Sequence, residues 1–154
     1  MERKEYVPLA DVLAELDFVL ASKPELDFIT FSGAGEPSLH SGIGEIVKHI
    51  KTNYPQYKIC LLTNGAFLDD PAFVEEAKDI DVVIPSLDAS TDEEFQKINR
   101  PEKSFTLEKL INGIIYFRKH SKAKIYLEIF IVPGVNDSGD SAERFRKLAE
   151  EIRP

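Results

Sequence analysis

The stretch Ser32-Gly33-Ala34-Gly35-Glu36-Pro37 sets two glycines and one carboxylate directly after a short apolar run, Phe28 to Phe31. Glycine lacks a Cβ, so another molecule can approach the main chain closely. A loop of bare carbonyls and amides with one added acid suits a cationic guest such as an ammonium group. It does not suit a phosphate, which would call for amide groups and a lysine. The chain contains no Walker pattern, and the GxGxxG fingerprint is not completed here. On its residues alone the stretch also fits a tight strand-to-helix turn with an exposed acid.

Two further acids sit in strand-like runs. Side chains alternate across a strand. In Lys124 to Val132, the residues Ile125, Leu127, Ile129 and Ile131 form one aliphatic face, and Tyr126, Glu128, Phe130 and Val132 the other. Glu128 is therefore expected to point away from the helix layer. In Val83 to Asp88, Ser86 and Asp88 share a face, opposite Val83, Pro85 and Leu87. A carboxylate in an apolar strand is costly unless paired or hydrogen-bonded. Either Glu128 belongs to a structural hydrogen-bond network, or it and Asp88 contact a polar ligand on a concave face. A different enzyme class is also open: Glu36, Asp88 and Glu128 as hard oxygen ligands of Mg²⁺ or Mn²⁺ in a metal-assisted barrel. A third reading is a non-catalytic α/β interaction domain.

These residues need a scaffold, and hydrophobic periodicity supplies one. It predicts helices over about 9–21, 42–52, 71–77, 107–119 and 141–152, and strands over 28–31, 58–62, 81–87 and 124–132. Asp70 caps the third helix, with Pro71 as its first residue. Ser90-Thr91-Asp92-Glu93 reads as a capping box opening a short helix, which Asn99-Arg100-Pro101 breaks. Strands separated by single helices imply parallel pairing with right-handed crossovers. The fold class is α/β, either an open doubly wound sheet or part of a (β/α) barrel. The chain is too short for a full eight-unit barrel of ~250 residues. In both architectures ligands gather beyond the strands' C-terminal ends. Here those ends carry Ser32 to Glu36, Thr63-Asn64-Gly65, Ser86 to Asp88, and Val132 to Asp137.

Bulk properties narrow the function. The 154 residues suit one domain, with 43% hydrophobic and 30% charged residues. A net charge of −8 argues against a broad nucleic-acid or anionic-membrane surface, though it leaves room for a small local basic patch. No stretch is long and apolar enough to span a membrane, and the N-terminus lacks a signal-peptide core, which favours the cytoplasm. The single cysteine, Cys60, allows no internal disulfide and no Cys-based metal cluster.

The ordered motifs resemble the radical S-adenosylmethionine (radical SAM) superfamily. Ser32-Gly33-Ala34-Gly35-Glu36-Pro37 is similar to that family's Gly-Gly-Glu motif, whose backbone and acid receive the methionine amino group. Ser86 and Asp88 resemble its ribose-contacting motif, and Glu128 a polar residue that reaches cofactor or substrate. Leu61 to Gly65, including Asn64, resembles the end of the family's third strand. The resemblance covers nearly the whole chain and implies a partial TIM-like (β/α)6 barrel, of which about four parallel strands are present. It implies S-adenosylmethionine (SAM) as cofactor, bound by Ser32, Gly33, Ala34, Gly35, Glu36, Asn64, Ser86, Asp88 and Glu128. It also implies a [4Fe-4S] cluster, reductive cleavage of SAM to a 5′-deoxyadenosyl radical, and an electron donor such as flavodoxin or ferredoxin.

The family's CxxxCxxC loop is absent. The expectation is therefore a fragment of a longer enzyme, starting after the cluster loop and ending before the sixth strand. Such a fragment would bind no cluster, take up SAM weakly or not at all, remain inactive alone, and self-associate through exposed sheet edges. Val132 to Ser141 resembles a loop of glycyl-radical-enzyme (pyruvate formate-lyase) activating enzymes, but the substrate stays open. Arg100 is a candidate for a cofactor or substrate carboxylate, against a plain helix exit. His40, His49 and His120 form no ligand spacing, and His49 is expected to be exposed. The basic run Arg118 to Lys124 is read as complementing a helix C-terminus. Phe28 and Phe31 are read as core.

Overall fold

The structure is a computed structural model that describes residues 2–33 and 35–154. Ala34 lies outside the described residues. Four parallel strands, β1 (Ile29–Phe31), β2 (Ile59–Thr63), β3 (Val82–Pro85) and β4 (Lys124–Ile125), pair in the order β1-β2-β3-β4. The order follows the chain without reversal. A doubly wound sheet would reverse at a switch point, so the sequential order selects the barrel-type arrangement.

Each strand is followed by helix. After α1 (Leu9–Leu20) come α2 (Ile43–Asn53), α3 (Pro71–Ala77), α4 (Asp92–Ile98), α5 (Leu107–His120) and α6 (Gly139–Ile152), with a 3-10 turn at Pro37–Leu39. Asp70 caps α3 by accepting from the Ala72 amide, as the sequence predicts. The cap of α4 lies one residue later than the predicted box. Thr91 accepts from the Glu94 amide, and the Glu94 carboxylate reaches back to the Ser90 amide.

Strand parity divides the molecule into two faces. Phe31, Leu61, Val83 and Ile125 stand in register on the outer face. They pack with Ile46, Val47 and Ile50 of α2, Phe73 of α3, and Leu110, Ile114 and Phe117 of α5 in one core. Burying these side chains supplies about 1.5–3 kcal/mol each. The inner face carries Thr30, Cys60, Val82 and Lys124 in one row, and joins no part of that core. Phe28, expected in the core, stands exposed instead, because it precedes β1 on the inner face.

The fourth strand is shorter than predicted. Its ladder runs through the amide of Tyr126, donated to the Val83 carbonyl, and ends at a bridge between Ser86 and Glu128. Beyond it the Phe130 amide donates to the Asp88 carboxylate at 2.9 Å, and the Val132 amide to the Asn136 side chain at 2.7 Å. Side-chain acceptors thus replace the ladder. Ile129 and Ile131, expected against the helices, are exposed as a result.

Candidate functional site

The C-terminal ends of β1, β2 and β3 enclose a cleft of about 410 Å³ lined by Ser32, Gly33, Gly35, Glu36, Asn64 and Ser86 among others. Glu36 organises it. Its Oε1 accepts from the Ser38 amide at 3.0 Å, the Ser38 hydroxyl at 2.6 Å and the Thr63 hydroxyl at 2.7 Å. Its Oε2 accepts from the Asn64 amide at 2.6 Å. One carboxylate therefore caps the 3-10 turn and fastens the exit of β1 to the end of β2. Among the described residues Oε2 accepts this single bond, and a carboxylate oxygen has room for another donor.

The glycines divide by the reason for their presence. Gly65 has φ +81°, and an added Cβ would stand 2.3 Å from Leu110 Cδ1, so the fold itself requires glycine there. A Cβ on Gly33 or Gly35 would meet nothing within 4 Å, and Gly33 does not adopt a left-handed φ. The chain's own packing gives neither a reason to be bare. Both border the cleft, where a Cβ would fill space open to a guest.

Ser86 and Glu128 continue the polar rim across β3 and the end of β4. The Ser86 hydroxyl donates to Glu128 Oε2 at 2.8 Å, and Glu128 is exposed. Asp88 is placed differently. It is 8% exposed, and both oxygens serve the protein: Oδ1 accepts from the Phe130 amide and Oδ2 from Asn99 Nδ2, each at 2.9 Å. Glu36, Ser86 and Glu128 thus border the hollow face, while Asp88 is buried beneath the chain leaving β4.

Sequence reasoning gave three supporting residues no role of their own, although Thr63 and Asn136 fall within the polar strand ends it singled out. Ser38 and Thr63, both buried, hold Glu36. Asn136 is 2% exposed and donates to the carbonyls of Asp88 and Phe130, each at 2.8 Å. A small polar residue inside a run such as Ile59–Thr63 was the available signal for Thr63. Arg100 is exposed with φ +46° just before Pro101, next to the Asn99 that holds Asp88. His49, expected to be exposed, is partly buried and bonds Asp17 Oδ1 at 2.7 Å.

The Mg²⁺ alternative is corrected by this geometry. Among the described residues no three His, Cys, Asp or Glu side chains gather to hold a metal ion. Asp88 is buried beneath the chain leaving β4, away from a common point with Glu36 and Glu128 among the described residues. The thiol chemistry does not fit an iron–sulfur cluster either. The chain has one cysteine, Cys60, buried within β2, where burial pushes its thiol pKa up and disfavours the thiolate a cluster needs.

The sequential parallel sheet is compatible with a partial barrel of the radical SAM kind, and a family model establishes the family. The model described as the Radical SAM superfamily matches residues 1–148, and the chain belongs to that superfamily. A protein named GTPase Obg from Brachyspira hyodysenteriae is 33% identical over 97% of this chain and 22% of its own length. The UPF0026 protein slr1464 of Synechocystis is 30% identical over 99% of this chain and 56% of its own. The chain thus spans between about a fifth and somewhat over half of these relatives. The crystal structure of a radical SAM methyltransferase from Sphaerobacter thermophilus superposes with a TM-score of 0.69 at 20% identity, over 92% of this chain and 42% of that one. At that identity the likeness concerns the fold.

Proposed function

We propose that this chain is the SAM-binding part of a radical SAM enzyme, with the cofactor taken up in the cleft at the strands' C-terminal ends. The observation that carries the reading is the pair of glycines, Gly33 and Gly35, where an added Cβ would meet nothing within 4 Å, bordering a cleft at whose edge Glu36 ties the exit of β1 to the end of β2. Superfamily membership supports the choice of cofactor.

In this reading Glu36 Oε2 and main-chain carbonyls of the loop accept from the cofactor's amino group. Asn64 and Ser86 face its polar groups, and Glu128, oriented by the Ser86 hydroxyl, contacts cofactor or substrate. Asp88 acts at one remove, by fixing the Phe130 amide and Asn99 so that the chain after β4 shapes the rim. SAM itself supplies a sulfonium whose carbon–sulfur bond is the reacting bond. The protein's contribution is binding and orientation.

The cluster, the reaction with its substrate (small molecule or protein), and an electron donor such as flavodoxin or ferredoxin belong in this proposal to a longer parent protein. So do the cytoplasmic setting and self-association through open sheet edges. The described helices include none long and apolar enough to cross a membrane. Guanine-nucleotide hydrolysis, suggested by one relative's name, receives no support from a chain without a Walker pattern.

Equilibrium dialysis with labelled SAM tests the proposal. Weak, saturable uptake is expected, reduced at least about fivefold in Gly35→Ala, a loss of about 1 kcal/mol. Uptake equal in wild type and variant contradicts it.

A further inference from the structure

We infer that the cleft at the opposite, N-terminal end of the sheet binds a nucleotide unit, a phosphate with its aromatic base. The cleft measures about 720 Å³, within the range of about 300–1,000 Å³ common for small-ligand sites. It lies where the strands begin, remote along the sheet from Glu36, and stands independently of the SAM proposal.

Charge is the first observation. In a chain of net charge −8, five lysines converge here, Lys51, Lys58, Lys78, Lys122 and Lys124, against two acids, Asp79 and Asp81. Lys51 is neutralised by Asp81 at 2.5 Å, and Lys78 pairs with Glu75 outside the lining. Asp81 Oδ2 also accepts from the Ile59 amide, so that acid is committed to the fold. Among the described residues, the side chains of Lys58, Lys122 and Lys124 have no ion pair or hydrogen bond. The basic run Arg118 to Lys124 therefore has two roles. Arg118, Lys119 and His120 occupy the last turn of α5, whereas Lys122 and Lys124 lie beyond the helix and line the cleft.

Aromatic surface is the second observation. Phe28, just before β1, and Tyr126, just after β4, also line the cleft and are 40% and 56% exposed. Lysine is a point-charge partner for phosphate. An exposed ring beside it offers a base a stacking platform. An acidic peptide would satisfy the lysines but leave both rings without a role. Overall negative charge limits non-specific nucleic-acid binding, while a local cationic cleft still attracts an anion.

The test is fluorescence anisotropy of a fluorescein-labelled oligouridylate with the purified chain at low salt. Saturable binding that weakens as salt rises is expected. The variant Lys58→Glu/Lys122→Glu/Lys124→Glu should lose at least about tenfold in affinity, and Phe28→Ala/Tyr126→Ala at least about fivefold. Lys58→Gln/Lys122→Gln/Lys124→Gln provides a milder check should charge reversal disturb folding. Competition by UMP would identify a free nucleotide as the source. Retention of the strand against UMP would identify a single strand. Both support the site. The inference is overturned by no binding by the wild type, unchanged binding by the lysine variants, unchanged binding by the aromatic variant, or displacement by polyglutamate as effective as by unlabelled oligouridylate. Displacement by SAM would assign the strand to the other cleft and likewise contradict the inference.

Discussion

The Thr63 hydroxyl at the end of β2 donates to Glu36 Oε1 at 2.7 Å, and so joins the loop after the first strand to the end of the second. Replacing Glu36 by Ala removes this bond, the Asn64 contact and the cap on the 3-10 turn, and leaves the buried Ser38 hydroxyl without its acceptor. A loss of about 1–3 kcal/mol is expected. Thr63→Val removes the same bond and also the acceptor of the Gly65 amide at 3.0 Å, so it too should cost about 1–3 kcal/mol, while the Asn64 contact stays in place. Urea unfolding of the two variants checks both losses.

Glycine substitutions should separate folding from binding. Gly65→Ala sets a Cβ against Leu110 at a left-handed φ, and a loss of about 1–3 kcal/mol is expected. Gly33→Ala meets open space, and its stability should stay within about 0.5 kcal/mol of wild type. Thermal unfolding of the pair distinguishes a glycine the fold needs from one it does not.

Much of this was legible in the sequence, for identifiable reasons. The helices over 9–20, 43–53, 71–77 and 107–120 were visible because each shows one aliphatic face to one sheet. The cleft was visible because Gly33, Gly35, Glu36, Asn64 and Ser86 fall at strand ends, where parallel topology gathers polar groups. The last strand misled. Its alternation continues to Val132, but pairing depends on hydrogen-bond partners, and Asp88 and Asn136 take over the amides of Phe130 and Val132. Parity likewise says which side of a strand Asp88 leaves from, and nothing of the Asn99 amide that meets it eleven residues on. The lysine cleft was hidden because Lys58 is remote in sequence from Lys122 and Lys124.

Asp88→Ala should release the segment after β4. It leaves the Phe130 amide and Asn99 Nδ2 without acceptors, at a cost of about 1–3 kcal/mol. Hydrogen exchange at the Phe130 amide should accelerate markedly, whereas exchange at Leu61 in the core should change only as far as global stability does.

Glu94 gives the fold a pH dependence. Burial alone would raise its pKa. Hydrogen bonds from the Ser90 amide and hydroxyl, Arg144 and Ser141 outweigh burial and hold it below the usual glutamate value of 4.5. A depressed folded-state pKa means the carboxylate stabilises the fold above the unfolded value, and this stabilisation is lost as pH falls through the folded one. Glu94→Gln should cost about 2 kcal/mol near neutral pH, under the range for fully buried pairs because Arg144 is more than one-third exposed. The gap between variant and wild type should narrow as pH falls below the usual glutamate value of 4.5 and close once pH passes the lower folded-state pKa, as followed by urea unfolding across pH.

The uptake of SAM at the strand ends is tested most directly by titrating ¹⁵N-labelled chain with SAM and following amide chemical shifts. The account predicts concentration-dependent shifts at Gly33, Gly35, Asn64 and Ser86, with Lys58 and Lys124 unmoved. Shifts confined to the lysine end of the sheet, or an unchanged spectrum with SAM in large excess, would contradict it.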